Sequence, residues 1–326
     1  MKKIYWFAPV LAIALSCSEE TPLTDRSAEF RIEEPAQRGC ASYDVLQEEI
    51  RQDPSRGKRL EEIEAFIQKA QRNPEQYRLV NGVIEIPVWV NVIYNQNKPA
   101  EDVSQAQIQS QIDVLNEDFN ATNSDYNQVP NIFSGVKANV GIRFVLEGVT
   151  RKASKKTSWR TDNSCKSSAK GGISPTSPTT FMNMWVCVLA NNILGYAQFP
   201  GGNSATDGVV IHTNAFGRGS YPLFTTFNLG RTATHEVGHW LNLRHIWGDA
   251  TCGSDLVNDT PTHNTSNTGC PGTGHKSTCS GTPDEMWMNY MDYTDDRCMY
   301  MFSAGQKVRM DATFASGGGR NTFAQP

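Results

Sequence analysis

Apolar residues recur at helical spacing in two places near the front of the chain. Leu60, Ile63, Ile67 and Ala70 predict an amphipathic helix over about 60–72, and Val45, Leu46 and Ile50 leave a shorter trace that Pro54 ends. Between them, Ser55-Arg56-Gly57-Lys58-Arg59 reads as an exposed basic linker. From Val83 to Tyr94 the pattern changes to alternation (Val83, Ile84, Ile86, Val88, Val90, Val92), which predicts a strand. Ser104 and Gln107 form a capping-box pair, after which Ile108, Ile112, Leu115 and Phe119 fall on one helical face. Further strands are predicted at Val140–Leu146, Met184–Leu189 and Gly208–His212, with a long loop over 151–180 and a helix at about 231–241. Strands and helices in this order, without internal repeats, predict an α+β domain.

The first sixteen residues form a secretory signal: two lysines, an apolar run from Ile4 to Leu15, then Ser16. Cys17 follows directly and resembles a lipoprotein cysteine, so the expected product is an exported protein, either a cell-surface or outer-membrane lipoprotein or a secreted one. Apart from that anchor no membrane contact is expected. The 30 basic and 34 acidic residues give a net charge of −4, which excludes nucleic-acid binding through a basic face. Export favours disulfides among the eight cysteines. Four of them crowd into 252–298, a Gly- and Thr-rich stretch with too little apolar periodicity to hold itself by burial.

Half of the six histidines lie within eleven residues, His235-Glu236-Val237-Gly238-His239-Trp240-Leu241-Asn242-Leu243-Arg244-His245. On a helix His235 and His239 share one face, so both imidazoles reach one ion, while Ala233, Val237, Trp240 and Leu241 face the other way. Glu236 stands beside the pair, placed to act on a water rather than to hold the metal. His245 joins only if the chain turns sharply after Leu241. A chance His-Glu-x-x-His in such a chain is roughly a one-in-a-hundred event, and a third histidine in register lowers it about fifty-fold more. A structural zinc site would have four protein ligands and no use for an unligated Glu, whereas three histidines leave a position open for chemistry.

This segment resembles the extended zinc signature of metzincins, with Asn242 where the signature has glycine; Asn is the commonest other residue in a left-handed turn. The surrounding text is similar to the pappalysin family, including its small ulilysin-like bacterial members, over roughly 80–312. Leu115–Phe119, Leu194–Gly202, Gly230–Thr234, Asp255–Pro261 and Met288–Tyr293 carry the likeness.

The resemblance implies a metzincin-like domain: a twisted mixed sheet with a backing helix and an active-site helix, then an irregular disulfide-braced C-terminal subdomain. It implies a zinc endopeptidase acting on protein or peptide substrates. His235, His239 and His245 would be the ligands, Glu236 the general base and acid, Tyr293 the oxyanion-stabilising group and Met291 the Met-turn. Asp296, with Asp295 as the neighbouring alternative, would floor a pocket selecting Arg or Lys after the cleaved bond. Asp255, Val257 and Thr260 would hold structural calcium, and the disulfides would be Cys252–Cys279 and Cys270–Cys298. The pairing of Cys165 with Cys187 stays open. Residues 17–55 are either a tether or a pro-segment whose Cys40 holds the zinc, and Cys40 as a surface thiol or a partner of Cys165 or Cys187 competes with that role. The catalytic domain is expected over 56–326, divided near 245, with activation by a cut within 55–59. Two rivals stand beside the peptidase: a surface-anchored binding or adhesion protein with a vestigial metal site, which predicts loss of Glu236 or a ligand, and a zinc hydrolase for a non-peptide bond.

Overall fold

The computed structural model describes residues 1–3, 34–73 and 84–323. Cys17 and the predicted signal from residue 4 onward lie outside the described residues, and among those that are described no helix is long and apolar enough to cross a membrane. Residues from Glu34 onward make one unit by themselves.

A five-stranded sheet organises that unit. Strand β1 (Ile84–Asn95) lies inside it, paired in parallel with β3 (Ile142–Ser154) on one side and β4 (Met182–Cys187) on the other. Beyond β4 come β6 (Val209–His212), also parallel, and then β5 (Gly195–Ala197), the one antiparallel member and an edge. Ile86, Val88, Val90 and Val92 of β1 are fully buried, as a strand covered by helices requires. Helix α3 (Gln105–Phe119) packs on β3 and against α4 (Arg231–Trp240), which in turn lies on β5 and β6. The apolar core fills the space between sheet and helices and continues into the 286–302 segment. A short pair, β2 (Lys137–Ala138) with β7 (Phe302–Ser303), leads into α5 (Ala304–Phe314), which Ser303 and Gln306 close with a reciprocal capping box.

Several expectations change. Strand β3 runs on to Ser154, eight residues past the predicted end, because β1 offers a parallel partner over that whole length. At α3 only half of the capping box forms: the Ser104 hydroxyl accepts from Gln107 N, while the Gln107 side chain bonds Phe216 O instead. The basic linker at 55–59 is not a linker. It forms the first turns of α2 (Ser55–Arg72), where the Asp53 carboxylate takes the Ser55 amide and hydroxyl. Arg56 is only 2% exposed, with its guanidinium on Glu49 and Phe199 O. Nor is 34–55 a tether. Helix α1 (Ser42–Gln52) touches β5, α2 packs on α5, and Glu64 forms a buried two-point ion pair with Arg309.

Candidate metal centre and active site

All ten residues of α4 are buried. Arg231 in its first turn is held by Asp118 and Asp125. At the other end Leu243 N returns to Gly238 O (2.9 Å), and Asn242 adopts a left-handed φ of 67°. This is the backbone pattern that glycine usually closes, and it sends the chain back beneath the helix. His245 therefore arrives beside His239.

The Nε2 atoms of His235 and His245 lie 3.2 and 3.1 Å from that of His239. Each ring is oriented from behind. His235 Nδ1 donates to Tyr290 O (2.7 Å), His239 Nδ1 to Leu243 O (2.8 Å), and His245 Nδ1 to the Asp249 carboxylate. That fixes the tautomer with the Nε2 lone pairs pointing inward. Burial, reinforced by the neighbouring imidazoles, pushes the pKa of His235 and His239 well below the ordinary value, so both are neutral. Three converging imidazoles suit zinc. Cys40 completes the group, its sulfur and the three imidazoles offering ligand atoms that all lie within 4.8 Å of one another. It is the only such cluster among the described residues, and Cys40 is bonded to neither Cys165 nor Cys187, both of which are buried and free.

Glu236 is buried beside this cluster, its Oε2 3.5 Å from Cys40 Sγ. Burial raises its pKa to about 7, against opposing hydrogen bonds from Ser42 and Cys40 and the charge of Arg38. The Ser42 hydroxyl donates to Glu236 Oε2 (2.7 Å) and accepts from Ala197 N (2.8 Å). Edge strand β5 approaches closely because residue 195 is glycine: a Cβ there would lie 2.7 Å from Glu236 Cγ. Residues 39–41 cover that edge, Leu194 N bonding Gly39 O and Ala41 N bonding Gly195 O, in parallel orientation.

Met291 is fully buried beneath α4 and packs where Gly238 leaves room; a Cβ at Gly238 would meet its sulfur at 2.5 Å. Tyr293 packs edge-on against His245 and donates its hydroxyl to Cys40 O (3.3 Å). Asp296, fully buried, takes Arg38 Nη2 at 2.6 Å and Leu229 N at 2.8 Å. The same guanidinium reaches Thr232 Oγ1 and Thr294 O and lies over the Phe227 ring. Asp295 stands outside this pocket, beside the exposed Arg297. Asp255, Val257 O and Thr260 gather on the Thr260 hydroxyl, with oxygen separations of 2.9–3.0 Å. Both disulfides, Cys252–Cys279 and Cys270–Cys298, are present. The sequence reading missed Arg38, Ser42 and Asp249; only the Arg-Gly-Cys triplet hinted at the first.

The profile of the pregnancy-associated plasma protein-A peptidases (M43) matches residues 176–315. An extracellular metalloprotease of Pyricularia oryzae is 32% identical over 241 residues, covering 72% of this chain and 76% of that protein. Among solved structures, a promirolysin mutant from Tannerella forsythia is 38% identical with a TM-score of 0.78, covering 88% of this chain and 97% of the other. Mature mirolysin of the same organism, in complex with a cleaved peptide, is 41% identical with a TM-score of 0.72 over 75% of this chain and 97% of the other.

Proposed function

Because this chain belongs to the pregnancy-associated plasma protein-A family of metallopeptidases, we propose that it is a latent zinc endopeptidase cutting on the amino side of Arg or Lys. One observation carries the reading: three imidazoles converge beside a buried carboxylate, next to a pocket in which the chain's own Arg38 already sits on Asp296. Zinc held by His235, His239 and His245 would polarise the scissile carbonyl and acidify an attacking water. Glu236 would take that water's proton and pass it to the leaving amine. Tyr293 donates to the developing oxyanion once Cys40 O has left its hydroxyl. Asp296 selects the substrate cation, because a buried carboxylate is stabilised chiefly by a partner of opposite charge.

Latency follows from the same contacts. Cys40 would supply a further ligand to the metal, Ser42 engages Glu236, and Arg38 fills the pocket over Asp296. The cut within 55–59 falls in the first turns of a helix where Arg56 is buried while Ser55, Lys58 and Arg59 stay exposed, so cleavage there requires that turn to open. Activation requires only that the segment carrying Arg38, Cys40 and Ser42 leave the cleft. We further propose structural calcium at Asp255, Val257 O and Thr260, whose all-oxygen donor set suits a hard cation, and export through residues 1–16 with lipidation of Cys17.

A vestigial binding protein would have lost Glu236 or a ligand, and all four residues are in place. Peptide rather than other bonds is favoured by the relative that holds a cleaved peptide. Mass spectrometry of peptides released from a mixed protein substrate tests the reading. New N-termini should be predominantly Arg and Lys in the wild type, and Asp296→Ala should reduce that preference by about one to two orders of magnitude. A broad hydrophobic preference in the wild type would refute the pocket.

A further inference from the structure

We propose that the turn at Thr225–Thr226 is a carboxylate-binding subsite, giving the mature enzyme a preference for Asp or Glu shortly after the Arg or Lys that follows the cleaved bond. The proposal rests on the peptidase reading above and names a second feature of its substrates.

The turn already holds a carboxylate. Glu34 Oε1 accepts from Thr226 N at 2.6 Å, and Oε2 accepts from Thr225 N at 3.1 Å and from the Thr225 hydroxyl. Two successive backbone N–H groups and a hydroxyl thus converge on both oxygens of one acid, an arrangement suited to anions. Partial burial works against ionisation of Glu34, yet the hydrogen bonds from Thr225 and Thr226 prevail and hold its pKa below the ordinary value.

The donors are fixed by the rest of the fold. Thr226 O accepts from Asp296 N (3.2 Å), Thr225 O from Asn228 Nδ2 (2.9 Å), and Phe224 N bonds Asn214 O (2.8 Å). The subsite is therefore tied by backbone to the floor of the Arg pocket, and an arriving ligand need not order it.

The pro-segment lays its side chains along the cleft in sequence: Glu34 on the turn, Arg38 on Asp296, Cys40 at the histidines and Ser42 on Glu236. If Arg38 stands where a substrate cation will stand, the turn lies on the side of that pocket away from the metal along the chain. A substrate continuing past its Arg runs in that direction. Three residues lie between Glu34 and Arg38, and the chain bends at Ala36 and Gln37, so the span is shorter than four extended steps of about 3.3 Å each. The second to fourth residues after the cut are therefore the ones within reach.

The experiment uses the mature enzyme and quenched peptides carrying Arg directly after the scissile bond, with Glu or Gln at the second, third or fourth position. At one of these positions kcat/KM should be about three- to tenfold higher for Glu than for Gln, and the ratio should shrink as salt is raised. Thr225→Val, which removes the hydroxyl and keeps the shape, should lower that ratio about twofold or more. Equal rates for Glu and Gln at all three positions, or a ratio untouched by Thr225→Val, would overturn the subsite. Failure to cut any of the peptides before Arg is a separate outcome: it would remove the specificity reading and the subsite together.

Discussion

Replacing Ser42 by Ala in the full-length precursor isolates one part of the latency device. The hydroxyl makes two buried hydrogen bonds, donating to Glu236 and accepting from Ala197 N, and Ser42 is wholly inaccessible to solvent. Alanine keeps the helix start but leaves a carboxylate and a backbone N–H without their partner, and only while the segment is docked. A buried hydrogen bond to a charged group contributes about 1.5–3 kcal/mol, and an orphaned N–H costs at least about 1. Some of this is recovered by relaxation, so the docked form should lose about 2–3 kcal/mol relative to the open one. That raises the open fraction by roughly 30- to 150-fold. The assay is cleavage of a quenched peptide by intact precursor, with gel analysis to show that the chain is still full length. Background activity should rise by one to two orders of magnitude, and self-processing should begin sooner. A Ser42→Ala precursor as silent and as slowly processed as wild type would refute the reasoning and leave latency to Cys40 and Arg38.

Three further outcomes follow from the geometry. Asp249→Ala removes the acceptor behind His245 Nδ1 and should weaken zinc binding by about 10- to 100-fold, read by competition with a chelator; unchanged affinity would mean that Trp247 stacking alone orients the ring. Burial raises the Asp255 pKa from 3.8 to about 6, so its contribution to stability is complete below pH 3.8 and is lost as pH rises through 6, amounting to about 3 kcal/mol. Calcium should offset that loss, so the melting-temperature gain on adding calcium should be small at pH 5 and several degrees above pH 7; an equal gain at both would dissociate Asp255 from the ion. Glu64→Ala strands the buried Arg309 guanidinium and should loosen α2, read as faster hydrogen exchange through 55–72, whereas unaltered exchange would show that Ile67 and Ala70 hold the helix unaided.

The parts of this molecule that announce themselves locally were legible in its sequence. The His-Glu-x-x-His spacing, the periodic faces of α2 and α3 and the alternation of β1 each reflect one element burying one side. Asn242 was legible as well, because a left-handed turn restricts which residues can close it. Strand β5 was not: three residues are too few to show a period of two, and its place is set by pairing with β6. Residues 55–59 misled because four polar or charged side chains around a glycine look solvated, while Arg56 is buried by partners distant in sequence. Ser42 had no local signal at all, since its role depends on a carboxylate 194 residues away. The choice between Asp295 and Asp296 likewise turned on which of two neighbours faces inward. Local periodicity indicates burial; it does not indicate against what.

In the proposed mechanism Glu236 does proton work beside a metal that His235, His239 and His245 hold without it. Zinc content and peptide release, measured together on the Glu236→Ala enzyme, test this most directly. About one zinc per chain is expected, as in wild type, with the rate of peptide release lowered by about 10²- to 10⁴-fold. Zinc lost along with activity would make Glu236 part of the metal's support, and retention of more than a few per cent of the rate would contradict its role as the base.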